Sequence, residues 1–307
     1  INSTSVPIEG STIYVNLEPC THYGKTPPCC ESLIAQKPAR VVIGTADPNP
    51  LISGKGISSL QQHGIETTVG VLKDECMQLN ERFFKFIETG FPFITLKFAQ
   101  TIDGRIATAS GQSRWISSGS SLRLAHRLRS SHDAVLIGVN TLIHDNPELT
   151  VRLIRGRNPL RIIVDSSLRI PMDAQILKNQ AAAHTIIATT GNASRKKVAR
   201  LKSIGIETLV IEADTDHRVD LKKLFAELGK RNISSVLIEG GSGIITSMLE
   251  ENLPDRVVIV IAPKILGKGI EAVGNLRINT IDEALRITYR KVLRKGADII
   301  LDGRIQE

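Results

Sequence analysis

Three of the four cysteines, Cys20, Cys29 and Cys30, fall within residues 20–30. Such crowding suggests a metal site. Cys20 follows Leu17-Glu18-Pro19 at the end of a β-rich run, and Cys29 follows Thr26-Pro27-Pro28 where a helix should begin. Two thiolates at a strand end and a helix start can meet at one metal, and the helix N-terminus favours their negative charge. Zinc accepts such ligands tetrahedrally, and a catalytic zinc keeps one position for water. Two buried free cysteines would have the same spacing. A second candidate is Glu239-Gly240-Gly241-Ser242-Gly243, which follows an apolar strand and opens a helix. Glycines there let backbone N–H groups approach a phosphate at the helix N-terminus. An ordinary strand-to-helix turn is the bland alternative, and the run is not a G-x-G-x-x-G fingerprint. Lys97 interrupts the apolar strand FITLKFA at residues 93–99. It is either a buried lysine of altered acidity or a strand-end lysine reaching for water. The lone Trp115 and Ser113 follow a turn at Gly111, and Arg129 ends a basic helix. Taken alone, a single Trp is more often core and a helical Arg more often solvated.

The chain that must position these groups has 307 residues, enough for two domains. Its composition, 41% hydrophobic and 23% charged, is that of a soluble globular protein and excludes a disordered chain. The apolar run at residues 257–263 is far short of the roughly 20 residues of a membrane helix, so no membrane span is expected. Lys+Arg is 39 and Asp+Glu 31, a net charge of +8, which favours anionic partners. The charges are scattered, and the aromatic residues (7 Phe, 3 Tyr, 1 Trp) are few for base-stacking platforms. Small phosphorylated ligands are therefore expected rather than nucleic acid. Residues 1–10 carry neither a charged nor an apolar leader region, and four cysteines are too few for a disulfide scaffold, so a cytoplasmic location is expected.

Strands and helices alternate along the chain. Strands are predicted at residues 11–17, 40–45, 66–71, 93–99, 134–139, 160–164, 185–189, 207–211, 235–238 and 257–261, with a closing hairpin at 286–292 and 298–301. Helices are predicted at 29–36, 58–63, 74–88, 118–131, 194–203, 220–232 and 243–252, and a long loop around His144-Asp-Asn-Pro147. Alternation argues for an α/β fold with three-layer sheets in both domains, divided at Thr89-Gly90: residues 1–90 and residues 91–307.

The string NLEPCTHYGKTPPC at residues 16–29 resembles the signature of the bifunctional riboflavin-biosynthesis deaminase/reductase family, whose first domain has the cytidine-deaminase fold. The general deaminase pattern is H-x-E…P-C-x-x-C, with His and two Cys on zinc and Glu as proton shuttle. The resemblance makes Cys20 and Cys29 zinc ligands and excludes Cys30 and Cys76. The family's H-A-E triplet would fall before Ile1, and none of the seven histidines (His22, His63, His126, His132, His144, His184, His217) lies in an H-x-E. The expectation is an N-terminally truncated deaminase domain, with an incomplete zinc site that does not deaminate.

From residue 91 the resemblance continues through Asp103-Gly104-Arg105, GQSRWI at 111–116, Leu128-Arg129, Asp145-Asn-Pro147, Leu149-Thr-Val-Arg152 and Ile238-Glu-Gly-Gly241, in order. The family's reductase domain is similar to dihydrofolate reductase in fold and uses NADPH. It reduces 5-amino-6-(5-phosphoribosylamino)uracil, with hydride arriving at the ribose C1. The resemblance implies a catalytic Lys97, near the ribose being reduced. It implies NADP contacts at Ala99, Trp115, Thr141, Asp145, Ser166, Gly241, Ser242, Gly243, Ile244, Ile245, Thr246 and Ser247. It places Ser113, Arg129, Leu149, Arg152 and Glu239 at the substrate, with the two arginines clamping its phosphate. Asp103 is expected to make a turn. The partner implied is a small phosphorylated pyrimidine, not nucleic acid or membrane, and the pairing of related reductase domains implies a homodimer. Competing readings are a zinc deaminase of nucleic acid or nucleosides, and a non-catalytic binding protein with a degenerate reductase fold.

Overall fold

The computed structural model describes residues 7–23, 27–50, 52–114 and 116–306. The chain forms two compact units, Ile1–Gly90 and Phe91–Glu307.

The first unit contains strands β1 (Thr12–Val15), β2 (Arg40–Ile43) and β3 (Glu66–Val69) in a parallel sheet of that order. Helices α1 (Cys29–Gln36) and α2 (Lys55–Gln62) connect them. Val41 and Ile43 pack with Leu33 and Leu60 in a small core. The buried Glu18 carboxylate receives backbone N–H groups from Asp47, Gly54, Gly56 and Ile57, and so caps α2 from a distant loop. Residues 74–88, expected as one helix, form two: α3 (Lys73–Leu79) and α4 (Glu81–Thr89). Asn80 breaks the run. Its side-chain Nδ2 donates to the Cys76 carbonyl at 2.8 Å, and its ψ of 13° departs from helical geometry. Asn competes for backbone partners in this way more readily than most residues.

The second unit is built on a nine-stranded sheet. Its elements are β4 (Phe93–Thr101), β5 (Arg105–Thr108), α5 (Gly119–Ser131), β6 (Ala134–Gly138), α6 (Val139–Asp145), β7 (Leu160–Val164), α7 (Gln175–Lys178), β8 (Thr185–Thr189) and α8 (Arg195–Ser203). They continue with β9 (Glu207–Val210), α9 (Leu221–Lys230), β10 (Ser235–Glu239), α10 (Ser242–Glu250), β11 (Arg256–Ala262), β12 (Gly269–Glu271), β13 (Ile287–Lys295) and β14 (Asp298–Ile305). Spatial order is β13-β14-β11-β4-β10-β6-β7-β8-β9, with β12 and β5 paired apart. The seven strands from β11 to β9 run parallel, and the β13–β14 hairpin is antiparallel.

Both faces of the central parallel strands are covered, so these strands read as continuous apolar runs. Ile94, Leu96, Leu136 and Ile238 face a core closed by Phe225 of α9 and Met248 of α10. Val135, Ile137, Leu237 and Val258 face the opposite core, closed by Leu128 of α5, Leu142 of α6 and Leu201 of α8. Hence the helix after β6 lies on one face and the helix after β10, its neighbour in the sheet, on the other. Ligands of open parallel sheets bind at such a reversal, outside the carboxyl ends of the strands. The segment expected as a loop around His144 is helical as far as Asp145, where Asn146 ends α6 with a left-handed φ of 43°. The β5–β12 pair is an addition that the sequence pattern did not signal. Among the described residues no helix is long and apolar enough to cross a membrane.

Candidate active site

A cavity of about 630 Å³ opens at the reversal between β6 and β10. Ser113, Thr141, Asp145, Ser166, Gly241, Ser242, Gly243, Ile244 and Ser247 line it. The N-terminus of α10 points its free N–H groups into this space, where they suit an anion. Two contacts shape the corner. The Thr141 hydroxyl accepts the Gly241 N–H at 2.9 Å, tying α6 to the glycine turn. A Cβ on Gly240 would lie 1.8 Å from Ile244 Cγ2, so only glycine fits there. Ser113 Oγ donates to Asp145 Oδ1 at 2.9 Å across the mouth. Ser166 Oγ accepts the Val219 N–H at 3.0 Å. His144, Arg169, His217 and Arg218, which sequence reasoning passed over, also line the cavity beside Asp214 and Glu251, and Arg218 is paired with Asp214 and Asp216.

Ile245 and Thr246 do not line it. Ile245 is fully buried in the core beneath α10, and the Thr246 hydroxyl bonds Ser242 O and Gly274 N. The helical period turns these two away from the mouth. Ala99 packs against the α5-side core, outside the cavity lining. Trp115 lies outside the described residues.

A second cluster forms beside the glycine turn, on the α5 face. Lys97, at the middle of β4, and Glu239, at the carboxyl end of β10, are register partners on adjacent parallel strands. Their positions alternate with Leu96, Phe98 and Ile238, which face the opposite core. Arg129, from α5, donates Nε and Nη2 to Glu239 Oε2 at 2.9 and 2.6 Å. The two side chains are 15% and 10% exposed. Glu239 Oε1 is buried and has no partner among the described residues. Burial opposes the Glu239 charge, but Arg129 and Lys97 outweigh it and hold the carboxyl below its usual range. Burial depresses Lys97 below the ordinary lysine range; Glu239 opposes this and Arg129 adds to it.

Arg129 Nη1 also donates to Thr150 O at 3.3 Å. This bond reaches a loop, residues 146–152, held mostly by side chains. Val151 N–H donates to Asn158 Oδ1, Arg152 N–H to His126 Nδ1, and Arg161 Nη1 to the Glu148 carbonyl. Leu149 is buried with a left-handed φ of 54°. The Arg152 side chain is 53% exposed and paired with Glu148, so in this structure the two arginines hold carboxylates rather than converging on an open position. Three contributors to this cluster were missed in the sequence: His126, Glu148 and Arg161. The spacing of His126 three residues before Arg129, on one helix face, was the signal available. Asp103 makes the expected turn: it accepts Thr101 Oγ1 and the N–H groups of Leu266 and Gly267, and the Thr101 bond does most to lower its carboxyl to about 2.

In the first unit Cys29 N–H donates to Cys20 Sγ at 3.3 Å, so the two cysteines are adjacent. Cys30 is turned away, donating its thiol to Pro19 O. Burial and the neighbouring Cys20 push the Cys29 thiol up. Among the described residues no group of three or more His, Cys, Asp or Glu could hold a metal. The pair supplies half of a tetrahedral zinc set and does not fit a complete site.

Comparison with known proteins agrees with both units. The model of the RibD C-terminal domain family matches residues 92–301. The riboflavin biosynthesis protein RibD of Aquifex aeolicus is 43% identical over 294 residues, covering 95% of this chain and 80% of that protein. The structure of Acinetobacter baumannii RibD superposes with a TM-score of 0.85 at 34% identity, covering 98% of this chain and 82% of that one. The Thermotoga maritima diaminohydroxyphosphoribosylaminopyrimidine deaminase/5-amino-6-(5-phosphoribosylamino)uracil reductase superposes with a TM-score of 0.81 at 32% identity, covering 98% and 81%. With the parallel sheet and the switch-point cavity in place, the chain belongs to the RibD family of riboflavin-biosynthesis proteins and carries its reductase domain.

Proposed function

We propose that this riboflavin-biosynthesis reductase uses NADPH to reduce the ribosyl group of 5-amino-6-(5-phosphoribosylamino)uracil to the ribityl product. The observation that carries the reading is the Lys97–Glu239–Arg129 cluster standing two residues from the glycine turn of a cavity large enough for a dinucleotide. Gly241, Ser242 and Gly243, at the α10 N-terminus, suit its pyrophosphate, and the close-packed Gly240 keeps that approach open. Asp145 and Ser166 suit ribose hydroxyls, and Arg169 supplies positive charge for the additional phosphate that distinguishes NADPH from NADH. When bound, the dihydronicotinamide supplies the hydride, and the protein supplies orientation and a proton.

Lys97 is the proton donor in this reading. Its depressed pKa makes the ammonium a better acid than an exposed lysine, suited to protonating the ring oxygen as the sugar opens. Glu239 keeps the lysine charged, and its free Oε1 suits a ribose hydroxyl. Arg129 and Arg152, with Leu149 and Ser113, form the substrate side, the arginines addressing the phosphate once Arg152 leaves Glu148. Zinc-dependent deamination through Cys20 and Cys29 would require ligands beyond this pair. The reductase units pair as a homodimer, consistent with the exposed Tyr289, Val292 and Ile299 on the β13–β14 hairpin. The four free cysteines suit the reducing cytoplasm.

NADPH absorbance should fall when the ribosylaminouracil phosphate is supplied, and more slowly with NADH. Absence of turnover with either cofactor refutes the assignment.

A further inference from the structure

His126 carries no role in the scheme above, yet it stands at its centre. It lies on α5, three residues before Arg129, and is 6% exposed. Its Nδ1 faces the Arg152 backbone N–H at 3.0 Å. A backbone N–H can only donate, so Nδ1 accepts and the ring proton is on Nε2. This is the one bond of the Arg152 N–H among the described residues. One helical turn along, Arg129 grips the Thr150 carbonyl. Together the two side chains pin residues 150–152 to α5. The Arg152 side-chain pair with Glu148 is half exposed, and such pairs contribute little to position. The main-chain bond to His126 therefore sets where the Arg152 side chain starts.

We propose that His126 is a positioning residue of the reductase site, whose Nδ1 holds the main chain at Arg152 so that Arg152 and Arg129 can address one anionic group of the substrate. This rests on the substrate phosphate assigned above. The charged groups facing the ring are Arg129, Arg152, Lys97 and Glu239. Burial, then the Arg129 and Arg152 charges, keep it neutral, as the geometry requires: a proton on Nδ1 would meet an N–H donor and break the bond.

The test compares His126→Ala, His126→Asn and each on an Arg152→Ala background. Asn places its Oδ1 where Nδ1 stands and keeps an acceptor. His126→Ala should raise KM for the ribosylaminouracil phosphate about tenfold, about 1.4 kcal/mol, with kcat and the NADPH KM within about twofold. His126→Asn should restore most of the affinity and lose less of it at low pH than the wild type. On the Arg152→Ala background neither change should add a further effect. Binding of ribose 5-phosphate by calorimetry gives the same comparison without turnover. If the wild type binds ribose 5-phosphate but does not turn over, the reductase assignment fails and the binding series alone decides the role of His126. If it neither binds nor turns over, both fall. Wild-type affinity in His126→Ala, or Asn no better than Ala when both variants melt with the wild type, overturns the proposal. If His126→Ala does not fold, His126→Asn decides, and a tenfold loss there overturns it.

Discussion

Lys97, at the middle of β4, and Glu239, at the carboxyl end of β10, sit side by side with Cα atoms in register and opposite charges enclosed on the face that α5 covers. Arg129 closes the group by donating twice to the same carboxylate oxygen. The arrangement leaves Lys97 without an ion pair of its own among the described residues, and Glu239 with one oxygen free. A lysine so held is available for chemistry.

Replacing that lysine should therefore separate rate from stability. Lys97→Met keeps the volume and removes the proton. NADPH oxidation should fall about 10²–10⁴-fold, the usual range for a lost general acid, with little change in melting temperature. A wild-type rate would reject the role of Lys97.

The depressed Lys97 pKa also sets a pH dependence. The protonated form donates, so turnover should fall on the alkaline side, at a pH below the ordinary lysine value of about 10.4. The linkage has the matching sign. Between the folded and unfolded pKa values the unfolded chain binds the extra proton, so stability rises with pH across that window. The cost of burying the charge is full below it. A kcat profile together with melting curves, in wild type and Lys97→Met, checks both, and a flat alkaline limb would contradict the assignment.

Glu239→Gln should be costly for a different reason. It leaves the Arg129 guanidinium enclosed without its counter-charge, which typically destabilises by about 3–5 kcal/mol. Denaturant unfolding of Glu239→Gln against wild type measures this. An unchanged midpoint would mean that water reaches Arg129.

Arg169 lines the cavity and donates to Asn140 Oδ1 at 2.6 Å. Arg169→Ala should raise KM for NADPH about tenfold or more and leave that for NADH nearly unchanged, since a charge-assisted hydrogen bond contributes about 1.5–3 kcal/mol. An equal effect on both cofactors would place the extra phosphate elsewhere.

Metal analysis of the purified chain should find zinc sub-stoichiometric and easily removed by chelator, because Cys20 and Cys29 are two ligands of four. Tight one-to-one zinc would mean that a further ligand joins them.

Much of this was legible in the chain. Buried parallel strands leave runs such as Val135–Leu136–Ile137, and the Pro-Pro entry marked α1 at its observed start. The break at Asn80 was not legible, because it depends on one side chain preferring a local carbonyl over solvent. Nor was α6, whose mixed sequence VNTLIHD owes its helix to packing of Val139 and Leu142 against the sheet. In the site, motif order brought out Lys97, Arg129 and Glu239. It could not reveal that Arg129 and Glu239 hold each other across 110 positions, since such pairing exists only once the sheet is assembled. It also gave no means of dividing residues 241–247 between cavity and core, which the rotation of α10 decides.

Arg161 is fully buried in β7, yet its partners are the carbonyls of Glu148, Asn179 and Ala183, not carboxylates. Burial lowers its pKa to about 10, which leaves it cationic at neutral pH. Carbonyl oxygens are common to every residue type, so side chains at 179 and 183 can drift without loosening this grip, whereas the guanidinium has no replacement of equal reach. The sheet interior thus acts as a tether for the rim: harm done at Arg161 would be felt in the loop that carries Leu149 and Arg152.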